Sequence, residues 1–278
     1  MARYLDGERP DENFIAISAG YNYSLGLRAD GNVIGWGKND YGQINCPTEK
    51  FIAIAVGTFH SLGLRADGKV FGWGRNIERQ IDCPDQRFIA ISAGGYHSLG
   101  LRADGKVFGW GSNWRGQINC PDEKFIAIAA GNNHSLGLRA DGKVIGWGEN
   151  YSCQINCPNQ NFIVIAAGGF HSLGLRVDGK VFCWGQNEYG QLNCPDEKFI
   201  EIALGTFHCL GLQADGKAIC WGTKEQLKCP DEKFGLPYDF LARLNKGLTV
   251  LSHMPKYIKM EILEDYTDWT FGQLFYLN

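Results

Sequence analysis

An all-β architecture of repeated small sheets follows from three features of this sequence. A phenylalanine returns every 37 residues, at Phe14, Phe51, Phe88, Phe125, Phe162 and Phe199, each opening a copy of one pattern. The copies are so alike that HSLGLRADGKVFGWG runs unchanged from His60 to Gly74 and again from His97 to Gly111. Within each copy, short apolar runs are cut by glycines, where a helix interior would lose about 1 kcal/mol per glycine. Sheets this small cannot bury both faces alone and must stack on their neighbours. Four short strands repeated six times match the blades of a β-propeller.

In the third copy, FIAISA reads as a strand ended by Gly94, HSLGLRA as an alternating second strand, Asp104-Gly105 as a hairpin turn, KVFGWG as a third strand and QIN as a brief fourth. On the third strand, Phe108 and Trp110 should share one face, with Val107 and Gly109 on the other. A bulky face can then meet a small-residue face of the next blade. Trp36, Trp73, Trp110, Trp147, Trp184 and Trp221 hold one repeat position; truncating such a core side chain to alanine costs about 3–5 kcal/mol.

Six copies span residues 14–233, the sixth shortened by two residues after Trp221. Residues 1–13 are expected to supply a closing strand, because ERPDENF resembles the CPDEKF link between copies. Residues 234–278 are expected to form either a degenerate seventh blade, in which TDWTFGQL echoes GWGSNWRGQI, or a helical extension that includes DFLARLNKG. Seven blades closed by both ends is the preferred arrangement, and six blades with a tail the alternative.

Net charge −3 in 278 residues, with no Lys/Arg run, argues against nucleic acid as a partner. No apolar run approaches the roughly 20 residues that span a bilayer, and MARYLDGERPDEN lacks the apolar segment of a secretory signal. Cys46, Cys83, Cys120, Cys157, Cys194 and Cys229 all precede proline at one repeat position. Equivalent atoms of adjacent blades lie about 10 Å or more apart, beyond the roughly 7 Å Cα limit of a disulfide. Free thiols and a reducing compartment are therefore expected.

His60, His97, His134, His171 and His208 also share a position, held by Tyr23 in the first copy. Neighbours on a strand face opposite ways, so His97 and Ser98 do not form a nucleophile and base. These histidines are expected to be structural, bonding backbone in their own or the next blade. Neither a metal nor a cofactor is expected.

The residues that drift between copies all fall at one end of the sheets. This end presents Tyr21, Asp40 and Tyr41; Phe59, Glu78 and Arg79; Tyr96, Trp114 and Arg115; Asn133 and Tyr151; Phe170, Glu188 and Tyr189; and Phe207. Interfaces use about 20–30 residues a side and are enriched in Tyr, Trp and Arg. This rim is the expected site for one protein partner, although Phe59, Tyr96, Phe170 and Phe207 can equally be read as plugging the scaffold.

The pattern AGGYHSLGLRADGKVFGWGSNWRGQ resembles the repeat of the regulator of chromosome condensation family, and its 37-residue length is similar to the bacterial branch, which includes a β-lactamase inhibitory protein and effectors delivered into host cells. The resemblance implies a seven-bladed propeller. It also implies a partner among small GTPases, Ran-like first, because the family's namesake is a guanine-nucleotide exchange factor for Ran. Two departures stand out: no copy has room for the namesake's β-hairpin wedge, and its basic tail is absent. The expected protein is a monomeric bacterial effector in the host cytoplasm that promotes the GTP-bound state of its partner. The alternative is a non-catalytic inhibitor or adaptor.

Overall fold

The computed structural model describes residues 14–222. The first copy holds β1 (Phe14–Ala19), β2 (Tyr23–Arg28) and β3 (Val33–Gly37), and the second β4 (Ala53–Val56), β5 (His60–Leu64) and β6 (Val70–Gly74). The third and fourth hold β7 (Ala90–Ala93), β8 (His97–Leu101), β9 (Val107–Gly111), β10 (Ala127–Ala130), β11 (His134–Leu138) and β12 (Val144–Gly148). The fifth and sixth hold β13 (Val164–Ala167), β14 (His171–Leu175), β15 (Val181–Gly185), β16 (Glu201–Leu204), β17 (His208–Leu212) and β18 (Ala218–Gly222). Each copy is one antiparallel three-stranded sheet in chain order. The first strand of each sheet neighbours the first strand of the next, from β1 to β16. The links that follow these strands surround a central cavity of about 360 Å³. This is the propeller architecture the repeat predicts. The closing strand expected from residues 1–13 and the blade or helix expected from residues 234–278 lie outside the described residues.

The core sits between blades. Leu62 and Leu64 of β5 pack on Phe88 and Trp110 of the following sheet, and Leu99 and Leu101 of β8 on Phe125 and Trp147. Phe88 stacks on Trp110 at 5.8 Å. The expected size complementarity exists, but the middle strand supplies most of it. A Cβ on Gly100 would run into the Phe88 ring, whereas Gly109 of the third strand lies under Ile118 of its own copy. Phe108 stays 38% exposed.

Main-chain carbonyls close each seam. Gln80 O accepts both Ser98 Oγ and Trp110 Nε1 at 2.9 Å. The arrangement recurs at Gln43, Gln117 and Gln154. A carbonyl has two lone pairs, and here both are used.

The histidines add a second tie. His60, His97 and His134 place Nε2 2.9–3.0 Å from Ser98, Ser135 and Ser172 of the next copy, and His171 meets Cys209 at 3.2 Å. The role is structural, as expected, but the partner is a side chain of the next copy's central strand. Burial pushes His60, His97 and His134 down to about 3 and His171 to about 4. The serines are buried and commit their protons to glutamine carbonyls.

Two expectations need correction. The fourth strand does not form, because residues around Gln117 and Ile118 make turns. Ile118 N–H, which a ladder would need, donates instead to Asn113 Oδ1 at 3.2 Å. Nor are all the cysteines free. Cys183 and Cys194 are disulfide-bonded, with Cα atoms 6.6 Å apart, and Cys220 is disulfide-bonded as well. The pair forms within one copy, 11 residues apart, and not between equivalent positions of neighbouring blades. Cys183 takes the place that Gly109 holds beside Cys120 in the third copy, where the Cys120 thiol bonds the Gly109 backbone.

Candidate protein-docking face

The loop after each third strand is held by two fixed side chains. Asn113 Oδ1 takes the Ile118 N–H, and Gln117 Oε1 takes the Arg115 N–H at 2.9 Å. The same clamps are built by Asn39 with Gln43, Asn76 with Gln80, Asn150 with Gln154, and Asn187 with Gln191. The next backbone position is left-handed at Gly42, Arg79, Gly116, Cys153 and Gly190, with φ between 61° and 80°; it favours glycine but admits other residues at some cost. Between the clamps lie two positions whose side chains the loop backbone does not use, Trp114 and Arg115 in the third copy. This explains how the drift is tolerated.

Those side chains meet their neighbours around the ring. Trp114, 83% exposed, donates Nε1 to Glu78 Oε2 at 3.3 Å. Arg115 donates to the Tyr151 hydroxyl at 3.1 Å, lies over that ring at 5.1 Å, and reaches the buried carboxylate of Glu149 at 3.4 Å. Asn133 touches the other Glu149 oxygen at 3.5 Å. Tyr41 meets Phe59 edge-on at 5.3 Å, Phe59 reaches Tyr96 at 6.0 Å, and Tyr21 approaches Phe59 at 6.4 Å. Tyr189 is braced the same way by Phe207 at 5.1 Å. Phe59 thus both lines the central cavity and supports the rim. Asp40 pairs with Lys38 at 2.7 Å in the open, a contact of small energetic weight. Arg79 and Glu188 are exposed. Phe170 is half-buried, and its carbonyl accepts the Gln186 N–H at 3.0 Å.

One residue of this face escaped the sequence reading. The guanidinium carbon of Arg75 lies 5.2, 5.4 and 5.3 Å from the ring centres of Tyr41, Phe59 and Tyr96. The signal was present, since the position after Trp-Gly runs Lys38, Arg75, Ser112, Glu149 and Gln186. It sits at the edge of the invariant block, where variation is easily overlooked.

The sequence profile of the Regulator of chromosome condensation (RCC1) repeat matches residues 14–43, 51–80, 88–117, 125–154 and 162–191. The chain belongs to the RCC1 repeat family. This RCC1 propeller matches no curated protein sequence. Solved structures resemble it across most of the chain. The ectodomain of the Arabidopsis thaliana receptor kinase ACR4 is 25% identical over 78% of this chain and 83% of its own, with a TM-score of 0.66. The Physcomitrella patens CR4 ectodomain is 25% identical over 77% of this chain and 63% of its own, with a TM-score of 0.69. Prp20p of Saccharomyces cerevisiae, described together with its binding to Gsp1p and histones, is 21% identical over 75% and 72%, with a TM-score of 0.65. At that identity, the likeness to Prp20p establishes the shared RCC1 fold.

Proposed function

We propose that this RCC1 propeller docks a small GTPase of the Ran type on its loop face and promotes the GTP-bound state by exchange. The observation that carries the reading is the gathering of aromatic and arginine side chains around the cavity mouth, on loops whose backbone is clamped. Preorganised aromatic and arginine anchors are what protein interfaces concentrate at their centres. The direction toward a GTPase comes from the family namesake and from Prp20p, whose binding to Gsp1p was described with its structure. In this mechanism the face binds the nucleotide-free GTPase more tightly than the loaded form, and that difference drives nucleotide release. The 37-residue repeat, similar to the bacterial branch, supports an effector working in host cytoplasm.

The rival reading is an adaptor or inhibitor that binds without catalysing exchange. It is favoured by the uniform loops, since among the described residues no hairpin projects from the face. A nucleotide-release assay on purified Ran-type GTPases separates the two. Faster release of labelled GDP supports exchange, while binding with unchanged release leaves the adaptor.

A further inference from the structure

Arg75 is set apart from the other cations of the loop face by three enclosing rings, whereas Arg79 stands exposed. Lys38, its equivalent in the first copy, pairs with Asp40, and Arg115 is held by Glu149 and Tyr151. The Arg75 side chain makes no hydrogen bond or ion pair with any described residue, and its Nε is buried without a partner. Three rings surround it, and they stabilise positive charge without accepting its N–H groups. The structure therefore holds a guanidinium fixed in place by aromatic walls while its donors remain unused.

We propose that Arg75, caged by Tyr41, Phe59 and Tyr96, is the receptor for a single Asp or Glu carboxylate of the protein bound on this face. The proposal rests on reading the loop face as a docking surface and adds the chemistry of its anchor. A cationic ligand is disfavoured because the cage already holds a cation. A phosphate dianion is disfavoured because Arg75 is one charge, with the carboxylates of Asp40 and Glu78 on the same face. A carboxylate matches the planar fork in charge and geometry, through two parallel N–H···O bonds. Phe59 and Tyr96 also line the central cavity, whose volume of about 360 Å³ has room for an acidic side chain entering from the mouth.

The test has two arms. In the first, the full chain is titrated with acetyl-Gly-Glu-Gly-amide and with its glutamine counterpart while the Arg75 Nε–H resonance is followed by NMR and assigned by its loss in Arg75→Met. A saturable shift with the glutamate peptide alone supports the proposal. No shift, or the same shift with both peptides, overturns it. In the second, binding of a nucleotide-free Ran-type GTPase is compared between wild type, Arg75→Met and Arg75→Glu, with circular dichroism confirming the fold. Weakening by about thirtyfold in Arg75→Met and more in Arg75→Glu is the expected hot-spot signature. Unchanged affinity would overturn the Arg75 assignment and leave the GTPase reading intact. If the wild type binds no such GTPase, that reading fails, and the peptide titration still decides the role of Arg75.

Discussion

His97 Nε2 lies 2.9 Å from Ser135 Oγ in the next copy, and Ser135 passes its own proton to the carbonyl of Gln117. The serine is thus the acceptor, the imidazole carries its proton on Nε2, and Nδ1 is left buried without a partner. A second proton on such a ring finds neither water nor an acceptor.

Acid sensitivity follows. In the unfolded chain these rings titrate near the ordinary value of about 6.5, while in the fold His60, His97 and His134 do so at about 3 and His171 at about 4. Their stability contribution is complete above the unfolded value and is lost as pH falls toward the folded values. Each ring contributes a slope of up to about 1.4 kcal/mol per pH unit. Urea midpoints should be level from pH 7 to 8 and drop steeply below pH 6. The variant His97→Tyr, which copies Tyr23, should fold and show a shallower drop. A midpoint indifferent to pH between 6.5 and 5 would contradict the assignment.

The cysteine in the third strand travels with another substitution. Gly35, Gly72, Gly109 and Gly146 each lie under an isoleucine, and a Cβ there would stand 2.6–2.7 Å from Cβ of Ile44, Ile81, Ile118 and Ile155. Where the glycine becomes Cys183 or Cys220, the isoleucine becomes Leu192 or Leu227, moving the branch one carbon outward. Gly109→Cys alone should therefore lose about 1–3 kcal/mol to overpacking, and adding Ile118→Leu should recover most of it. Under oxidising conditions the introduced thiol of the double variant should crosslink to Cys120, read by mass spectrometry, as Cys183 does with Cys194.

On the loop face, Trp114→Ala combined with Arg115→Ala should weaken partner binding by about 2 kcal/mol or more. The ring should stay folded with a lowered melting temperature, because Trp114 is 83% exposed while loss of Arg115 leaves the buried Glu149 carboxylate without its cation. Calorimetric titration of a Ran-type GTPase checks the first expectation and a thermal melt the second. Full affinity in the double variant would remove these residues from the interface.

Thiol labelling of the native chain should be selective. Burial pushes Cys46, Cys120 and Cys157 up to about 11, and burial with the adjacent Asp82 pushes Cys83 to about 12. At pH 7.5 fewer than about one in a thousand of these groups is thiolate, the reactive form. Cys153 is exposed on its loop. Among the described cysteines, a maleimide should modify Cys153 first, as peptide mapping can show, and reach the other thiols only on unfolding.

The blades were legible because each element carries its own local signal. Asp104-Gly105 announces its turn, and Leu99 and Leu101 alternate with Gly100. The absent fourth strand was not legible, because QIN looks like a strand until Asn113 is known to take the Ile118 N–H. The His97 to Ser135 tie was hidden for a related reason: sequence reading pairs neighbours in the chain, whereas the seam pairs each position with one 38 residues on. The drift between copies marks the loops after each third strand. The convergence of Tyr41, Phe59 and Tyr96 on Arg75 came from three copies at once and needed coordinates.

The double acceptor at Gln43, Gln80, Gln117 and Gln154 is a main-chain oxygen, so the joint between blades does not depend on which side chains the adjoining loop displays. A 37-residue cassette can be duplicated, deleted or exchanged between positions without recutting the joints on either side. Such a scaffold diversifies by shuffling interchangeable parts, and recognition can evolve much faster than the framework that bears it.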